Sequence, residues 1–337
     1  MSGARDSLGR PLRDLRISVT DRCNMRCSYC MPAEVFGLGY PFLPRDEILT
    51  FEEITRVVQV AVSLGVRKVR LTGGEPLLRR DLALLLDMLT QVEGIEDLAM
   101  TTNGLLLSPL VRRLKDAGLR RLTVSLDALD DALFRRMTGT KRPVADVLEG
   151  LAAARAAGLP VKINCVVRRG VNQTEILPLA HFCREEGYTL RFIEYMDVGN
   201  HISWDPSSVV SAREIQKIMA DAFAFAPLDP LVTGEVARRY RYLDGAGEIG
   251  FITAISQPFC RDCNRARLTA DGKLMTCLFA TGGTDLRARL RGGSSDAGLA
   301  DFLRGVWGER GDRYSELRAE AAGEQLSPKV EMSYVGG

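Results

Sequence analysis

The sequence has few histidines, no long hydrophobic run and almost no net charge. His181 and His201 are its only imidazoles, so a histidine-rich zinc site or a relay of several histidines is almost excluded. No stretch approaches the ~18 uninterrupted apolar residues of a membrane span, and residues 1–16 lack the apolar core of a signal peptide. A balance of 45 basic and 43 acidic side chains argues against a global field that binds nucleic acid or anionic lipid. We predict a cytoplasmic protein with no nucleic-acid or membrane partner, in which a local cluster of charge meets any anionic ligand.

Strand-like and helix-like segments alternate over the first two thirds of the 337 residues. Apolar runs rich in Val, Ile and Leu predict six strands, at 15–20, 66–72, 97–102, 121–126, 160–167 and 190–196. Helical periodicity, ended several times by a glycine, predicts helices at 51–64, 81–92, 109–117, 144–157, 176–186 and 212–223. Repeated βα units imply parallel strands with right-handed crossovers, in a doubly wound sheet or a barrel. Six such units favour an incomplete (βα)6 barrel of the TIM type, in the α/β class.

Side-chain parity within these strands indicates what the sheet encloses. In the fifth strand Val161, Ile163 and Cys165 alternate with Lys162 and Asn164, and the first, second and fourth strands alternate in the same way. Helices must cover the apolar face, so the polar side chains point into the lumen, which an ordinary barrel fills with aliphatic residues. A polar lumen predicts a ligand cavity.

The pattern of predicted elements changes near residue 227. Segments 236–242 and 248–255 look like antiparallel strands around an Asp244-Gly245 turn, and a second turn follows at Asp271-Gly272. We therefore predict a barrel domain over residues 1–226 and a smaller α+β domain over residues 227–337 that closes the open side of the barrel.

Six of the eight cysteines fall into two groups of three, which in a reducing compartment indicates metal binding rather than disulfides. The first trio, Cys23-x3-Cys27-x2-Cys30, follows the first strand. Three thiolates on a four-iron cube leave one iron open to a small molecule, whereas four cysteines give a closed electron-transfer cluster. A zinc knuckle or a chance grouping is the alternative.

The second trio is Cys260-x2-Cys263-x13-Cys277, with the Asp271-Gly272 turn returning the third thiol to the first two. A structural zinc site needs four ligands, so three cysteines favour another open cluster, and zinc with an unusual fourth ligand is the alternative. Cys165 and Cys183 remain, and we predict that both are plain buried thiols.

The first trio, with Tyr29 before its last cysteine, combines with a Gly73-Gly74-Glu75-Pro76 segment after the second strand. Alone, that segment could be a turn with Pro76 opening a helix. Together these motifs resemble the radical S-adenosylmethionine superfamily. The resemblance implies that Cys23, Cys27 and Cys30 hold a catalytic 4Fe-4S cluster and that S-adenosylmethionine is the second cofactor. It implies S-adenosylmethionine contacts at Tyr29, Gly74, Ser125 and Met196.

The second cluster predicted from the second trio narrows the resemblance to the GTP 3',8-cyclases of molybdenum cofactor biosynthesis. The similar segments are 16–24, 30–32, 71–79, 101–104, 125–127, 191–196, 259–278, 312–316 and the Gly336-Gly337 tail. Asn172-Gln173 departs from the Asn-Asp expected in that family, which puts little in doubt because it lies in a loop. The resemblance implies conversion of GTP to (8S)-3',8-cyclo-7,8-dihydroguanosine 5'-triphosphate. It also implies a second 4Fe-4S cluster, on Cys260, Cys263 and Cys277, that holds the guanine.

Positive charge on the polar strand face agrees with a triphosphate ligand, because a buried concentration of cations needs anions to neutralise it. The residues concerned are Arg16, Lys68, Arg70 and Lys162, with Arg191 near the end of the sixth strand and Arg265 and Arg267 beside the second trio. Separately, each of them could form a surface ion pair. By resemblance the GTP contacts are Arg16, Arg70, Thr101, Lys162, Arg265, Ala266 and Arg267, with Lys68 and Arg191 as additions and Arg265 and Arg267 counted as catalytic.

The resemblance also implies partners: a flavodoxin or ferredoxin as electron donor, a downstream cyclic pyranopterin monophosphate synthase, and a possible homodimer. The diglycine tail either reaches into the active site, as in the family, or is a frayed end. Two rival functions remain. One is a two-cluster radical enzyme that acts on a peptide, which predicts a neutral or acidic lumen. The other is an iron-sulfur electron carrier without turnover.

Overall fold

A single mixed sheet forms the centre of the protein. The computed structural model describes residues 3–202, 204–318 and 329–336. Within these ranges twelve strands lie in the order β12-β11-β10-β1-β2-β3-β4-β5-β6-β9-β8-β7. Their bounds are β1 Asp14–Ser18, β2 Lys68–Thr72, β3 Asp97–Thr102, β4 Arg121–Ser125, β5 Val161–Val167, β6 Thr189–Glu194, β7 Phe225–Pro227, β8 Arg238–Tyr242, β9 Glu248–Ile252, β10 Arg265–Leu268, β11 Lys273–Met275 and β12 Thr284–Asp285.

The six predicted strands are present, with ends displaced by at most two residues, and each pairs in parallel with the next. The sheet does not return from β6 to β1, which confirms the partial barrel. The C-terminal strands extend the same sheet at both ends, because β10 pairs in parallel with β1 and β9 pairs in parallel with β6. The domain boundary between residues 226 and 227 stays a prediction.

Helices cover the outer face of the sheet. Their bounds are α1 Phe51–Ser63, α2 Leu82–Thr90, α3 Val111–Asp116, α4 Asp131–Thr138, α5 Val144–Ala156, α6 Ile176–Glu185, α7 Ala212–Ala220, α8 Arg287–Arg291, α9 Asp296–Gly308, α10 Tyr314–Leu317 and α11 Met332–Val335. Capping boxes start two of them: Thr50 with Glu53 at α1, and Ser211 with Glu214 at α7. In the described ranges, no helix combines the length and the apolar character needed to cross a membrane.

The predicted parity of the strands is confirmed. Along β5, Val161, Ile163 and Cys165 are buried in the hydrophobic core between sheet and helices, while Lys162 and Asn164 face a cavity on the other side. The two isolated cysteines, Cys165 and Cys183, are both buried free thiols, as the sequence predicts.

Candidate active site

A cavity of about 1070 Å³ lies on the polar side of the sheet. Both cysteine trios line it, as do all the predicted S-adenosylmethionine and GTP contacts except one. The exception is Ala266, whose side chain packs in the hydrophobic core. Two sites that the sequence placed about 230 residues apart therefore open into one chamber.

Strand register arranges three arginines in a row across this chamber. Arg16 of β1 is paired in register with Arg70 of β2 on one side and with Arg267 of β10 on the other. Side chains in register on neighbouring parallel strands point to the same face of a sheet. Strand parity predicts that Arg16 of β1 and Arg70 of β2 lie on the same face of the sheet. The position of β10 beside β1, which adds Arg267, is a tertiary feature that the sequence pattern does not show.

This arginine row carries positive charge that the surrounding protein compensates poorly. Arg70 is 4% exposed, and its Nη1 donates to the hydroxyls of Thr101 and Thr123 at 3.0 Å. Burial, with repulsion from Arg16, lowers the pKa of Arg70 to about 9. Within the described ranges, the Nε atoms of Arg16, Arg70 and Arg191 are buried without a hydrogen-bond partner. Unpaired donors of this kind on one cavity wall favour a polyanionic ligand.

The lysines of the site are differently placed. Lys68 Nζ lies 2.8 Å from Asp14 Oδ2, so its charge is already paired. Burial, followed by repulsion from Arg191, lowers the pKa of Lys162, which makes no ion pair within the part of the chain described. Lys162 is therefore the lysine better suited to meet a phosphate.

The first cysteine trio lies in the loop after β1. The amide of Cys30 donates to the carbonyl of Cys27 at 3.0 Å, which folds the loop back on itself. Burial raises the pKa of Cys23 to about 11 and that of Cys30 to about 12, and each thiolate would also repel the others. Three thiolates can share this space only around a positively charged centre, so the donor set fits an iron-sulfur cluster.

The Gly73-Gly74 segment touches this loop along its backbone. The amide of Gly74 donates to the carbonyl of Thr20, and the amide of Glu75 to the carbonyl of Arg22, both at 2.8 Å. A Cβ on Gly74 would lie 2.3 Å from the Arg22 carbonyl oxygen. The glycine is required here by close backbone approach, which brings the segment against the first trio.

Sequence reasoning missed the role of the Glu75 side chain. This carboxylate is 1% exposed and accepts from Thr102 Oγ1 and from the Asn103 amide, both at 2.7 Å. Asn103 in turn donates through Nδ2 to Asn24 Oδ1 at 2.7 Å, beside Cys23. Burial raises the pKa of Glu75 to about 7 despite these donors. The acidic residue of the motif thus ties the end of β3 to the first trio.

A second buried carboxylate fixes Tyr29. The Tyr29 hydroxyl donates to Asp127 Oδ2 at 2.5 Å, and the Val166 amide donates to Asp127 Oδ1 at 2.8 Å. Burial raises the pKa of Asp127 to about 6. Asn164 also faces the cavity, with an Oδ1 that is buried and unpaired among the described residues. Strand parity indicated the positions of Asp127 and Asn164, but no spacing motif marked either as a site residue.

The second trio combines a short helical turn, Cys260–Asp262, with the ends of β10 and β11. Arg265 Nη2 lies 3.2 Å from Cys263 Sγ. Although burial raises the pKa of Cys263, Arg265 and Arg310 outweigh it and lower that pKa to about 6. Among the described residues, no three Cys, His, Asp or Glu side chains lie close enough together to hold a single metal ion. A cube binds each cysteine through a different iron, so the three sulfur atoms need not converge on one point to hold it.

The low pKa of Cys263 gives a testable reactivity. In the cluster-free chain at pH 7, we expect iodoacetamide to alkylate Cys263 faster than Cys30 or Cys277, because only Cys263 is mostly thiolate. Its rate should fall about tenfold per pH unit below pH 6, measured by peptide mass spectrometry. Arg265→Ala should slow the reaction at pH 7, and equal rates at all three cysteines would contradict the electrostatic assignment.

The C-terminal segment enters the same chamber. Arg267 Nη1 donates to the carbonyl of Gly336, and a Cβ on Gly336 would lie 2.3 Å from Thr72 Cγ2. Upstream, the Tyr334 hydroxyl donates to Asp271 Oδ2 at 2.5 Å. Gly336 is therefore seated against the arginine row at the end of β2, while Gly337 lies outside the described residues.

Comparison with known proteins agrees with this geometry. The Radical SAM superfamily model matches residues 17–183, and the Molybdenum Cofactor Synthesis C model matches residues 188–316. Similar curated proteins are GTP 3',8-cyclases from Acidothermus cellulolyticus, 54% identical over 99% of both chains, and from Xanthomonas axonopodis pv. citri, 52% identical over 99% of this chain and 98% of that one. The enzyme of that name from Staphylococcus aureus is 47% identical over 99% of this chain and 98% of its own.

Among solved structures, Streptococcus suis SuiB bound to its precursor peptide SuiA superposes with a TM-score of 0.63 at 18% identity. The match covers 90% of this chain and 65% of SuiB, and at that identity it shows a shared fold alone. The identity to the curated cyclases carries more weight, because it extends over 99% of the chain and so over the segments that hold both cysteine trios and the arginine row. On these grounds the chain belongs to the GTP 3',8-cyclase family of the radical SAM superfamily.

Proposed function

We propose that this protein converts GTP to (8S)-3',8-cyclo-7,8-dihydroguanosine 5'-triphosphate, the first step of molybdenum cofactor biosynthesis. The observation that carries the proposal is that two cysteine trios and one row of poorly compensated arginines open into a single cavity. A peptide substrate would not need that row, because a peptide offers no polyphosphate to neutralise it.

The first trio, Cys23, Cys27 and Cys30, would hold a 4Fe-4S cluster, with S-adenosylmethionine contacted by Tyr29, Gly74, Ser125 and Met196. When bound and reduced, this pair of cofactors supplies a 5'-deoxyadenosyl radical for hydrogen abstraction. The Glu75 and Asp127 carboxylates act indirectly, because they fix Asn103 and Tyr29 at the edge of that space.

GTP would lie with its triphosphate along the arginine row and its guanine toward the second cluster, on Cys260, Cys263 and Cys277. Arg16, Arg70, Lys162 and Arg267 are the contacts for the triphosphate, with Thr101 orienting Arg70. Arg265 has a different position, because its guanidinium lies against the Cys263 sulfur. We infer that Arg265 tunes the second cluster, whereas Arg267 acts on the substrate and on the Gly336 carbonyl.

These residues must hold the substrate in place and keep other reactants away from the radical. A primary carbon radical reacts with whatever lies beside it, so the ribose must be fixed before the radical forms. The aliphatic faces of the strands lie on the other side of the sheet, and the sheet itself forms one wall of the chamber. We further propose a flavodoxin or ferredoxin as electron donor and cyclic pyranopterin monophosphate synthase as the consumer of the product, with a homodimer as a possible assembly.

The test is turnover under anaerobic conditions with dithionite and S-adenosylmethionine. We expect release of 5'-deoxyadenosine to rise at least about tenfold on addition of GTP, together with a cyclised GTP product detected by mass spectrometry. ATP and a polyanionic peptide serve as controls. Release that depends on peptide, or none with any addition, would contradict the proposal and support the peptide enzyme or the electron carrier respectively.

A further inference from the structure

Two buried arginines donate hydrogen bonds to the backbone around the second cysteine trio. Arg10 Nη1 donates to the Cys260 carbonyl at 2.7 Å, and Arg310 Nη1 donates to the Cys263 carbonyl at 2.7 Å. Arg310 Nε also donates to the carbonyl of Thr276, the residue before Cys277, at 3.0 Å. The peptide at or next to each cysteine is therefore fixed by a charged donor.

One carboxylate joins the two arginines. Asp6 Oδ2 lies 2.5 Å from Arg10 Nε and 3.0 Å from Arg310 Nη1. The three side chains are 0–2% exposed, so water does not screen their interaction. Trp307 completes the enclosure, because its ring packs 4.6 Å from the Arg310 guanidinium and its Nε1 donates to the Arg10 carbonyl at 3.1 Å. We call Asp6, Arg10 and Arg310 the buried triad.

The charge of the buried triad suits an anionic neighbour. Two guanidinium groups on one carboxylate leave one excess positive charge inside the protein, which is costly unless an anion lies close by. Arg10 Nη2 is buried without a partner among the described residues. Asp312 lies 3.3 Å from Arg310 and balances that charge formally, but its side chain is 32% exposed at the cavity wall, so water weakens the compensation. Three cysteine thiolates around a cluster would supply the remainder.

We propose that the buried triad positions the second cluster: it preforms the two cysteine-bearing segments, 260–263 and 276–277, and balances the charge of the thiolates that they present. They are positioning residues, because in the described ranges the two arginine side chains donate to backbone carbonyls around the trio and make no hydrogen bond to its sulfur atoms. Two further contacts link the N-terminal segment to the loop after α9, because Ser7 Oγ donates to the Arg310 carbonyl and Arg10 Nη1 to the Asp312 carbonyl. This inference rests on the proposed cluster at Cys260, Cys263 and Cys277.

The experiment compares Arg310→Gln with Arg304→Gln, an exposed control on α9 whose partner is Asp301. After anaerobic reconstitution, the unaltered chain and Arg304→Gln should hold about eight irons, four for each cluster. Arg310→Gln should hold about four, keep the electron paramagnetic resonance signal that responds to S-adenosylmethionine, and lose the signal that responds to GTP. Asp6→Asn should act in the same direction, and Arg310→Lys, which retains charge but not the forked donors, should recover part of the iron.

Two results would overturn the role of the triad. One is full iron and an unchanged GTP response in Arg310→Gln. The other is equal loss of both clusters with a lowered melting temperature, which would make the triad a general anchor of the fold. If the unaltered chain itself holds only about four irons and its single signal responds to S-adenosylmethionine, the second cluster of the proposed function fails, and the inference fails with it.

Discussion

Cys27→Ala should reduce cleavage of S-adenosylmethionine by a factor on the order of a thousand or more, to the uncatalysed background, while GTP still binds. The first trio has three thiols and no fourth cysteine beside it, so loss of one leaves too few ligands to retain the cluster. The second trio and the arginine row lie on other elements and keep their own contacts. The measurements are 5'-deoxyadenosine by chromatography, iron per chain and calorimetric GTP binding.

Cys183→Ala is the matched control, because Cys183 is a buried thiol of α6 outside the cavity. That variant should retain its iron and its activity apart from a modest loss of stability, about 1 kcal/mol. If Cys27→Ala still cleaves S-adenosylmethionine at a rate near that of the control, the first trio does not hold the catalytic cluster. A parallel loss of GTP binding would instead show that the two halves of the chamber are not independent.

The barrel and the positions of most site residues could be predicted because their signals are local. Alternation in β1, β2, β4 and β5 depends only on the period of two of a strand, so Arg16, Arg70 and Lys162 were assigned to the correct face. The cysteine spacings are equally local. Five helices of the described ranges were not predicted: α4, α8, α9, α10 and α11. In α9 the glycines Gly298, Gly305 and Gly308 weaken the intrinsic preference for a helix.

What could not be predicted depends on contacts between distant segments. The pairing of β10 with β1 joins residues about 250 apart, and only this pairing places Arg267 in register with Arg16. Asp6 and Arg10 lie in a short polar segment for which the sequence predicts neither secondary structure nor a site residue, yet they contact Arg310 and Cys260. Tyr29 and Asp127 likewise meet across 98 residues. Such pairs leave no periodic pattern in a single sequence.

Arg70→Met should weaken GTP binding at least about thirtyfold and leave the ligand-free chain as stable as before, or more stable. Loss of a charge-assisted contact to phosphate costs about 2–4 kcal/mol, and each 1.4 kcal/mol is a tenfold change in affinity. In the absence of ligand, however, Arg70 is a buried cation beside Arg16, with a pKa lowered to about 9 by burial and repulsion. A methionine of similar length fills the same space without that penalty.

The expected changes in GTP affinity and in stability together distinguish a binding role of Arg70 from a structural one. GTP should raise the melting temperature of the unaltered chain but raise that of Arg70→Met much less, because stabilisation by a ligand follows its affinity. Arg70→Lys should fall between them, since a lysine keeps the charge but cannot donate to Thr101, Thr123 and a phosphate in the same forked geometry. Arg304→Met, at an exposed position on α9, should match the unaltered chain in both measurements. A lowered melting temperature with unchanged GTP affinity would mean that Arg70 supports the sheet through its two threonines, and that the positive charge of the arginine row is compensated by something other than the substrate.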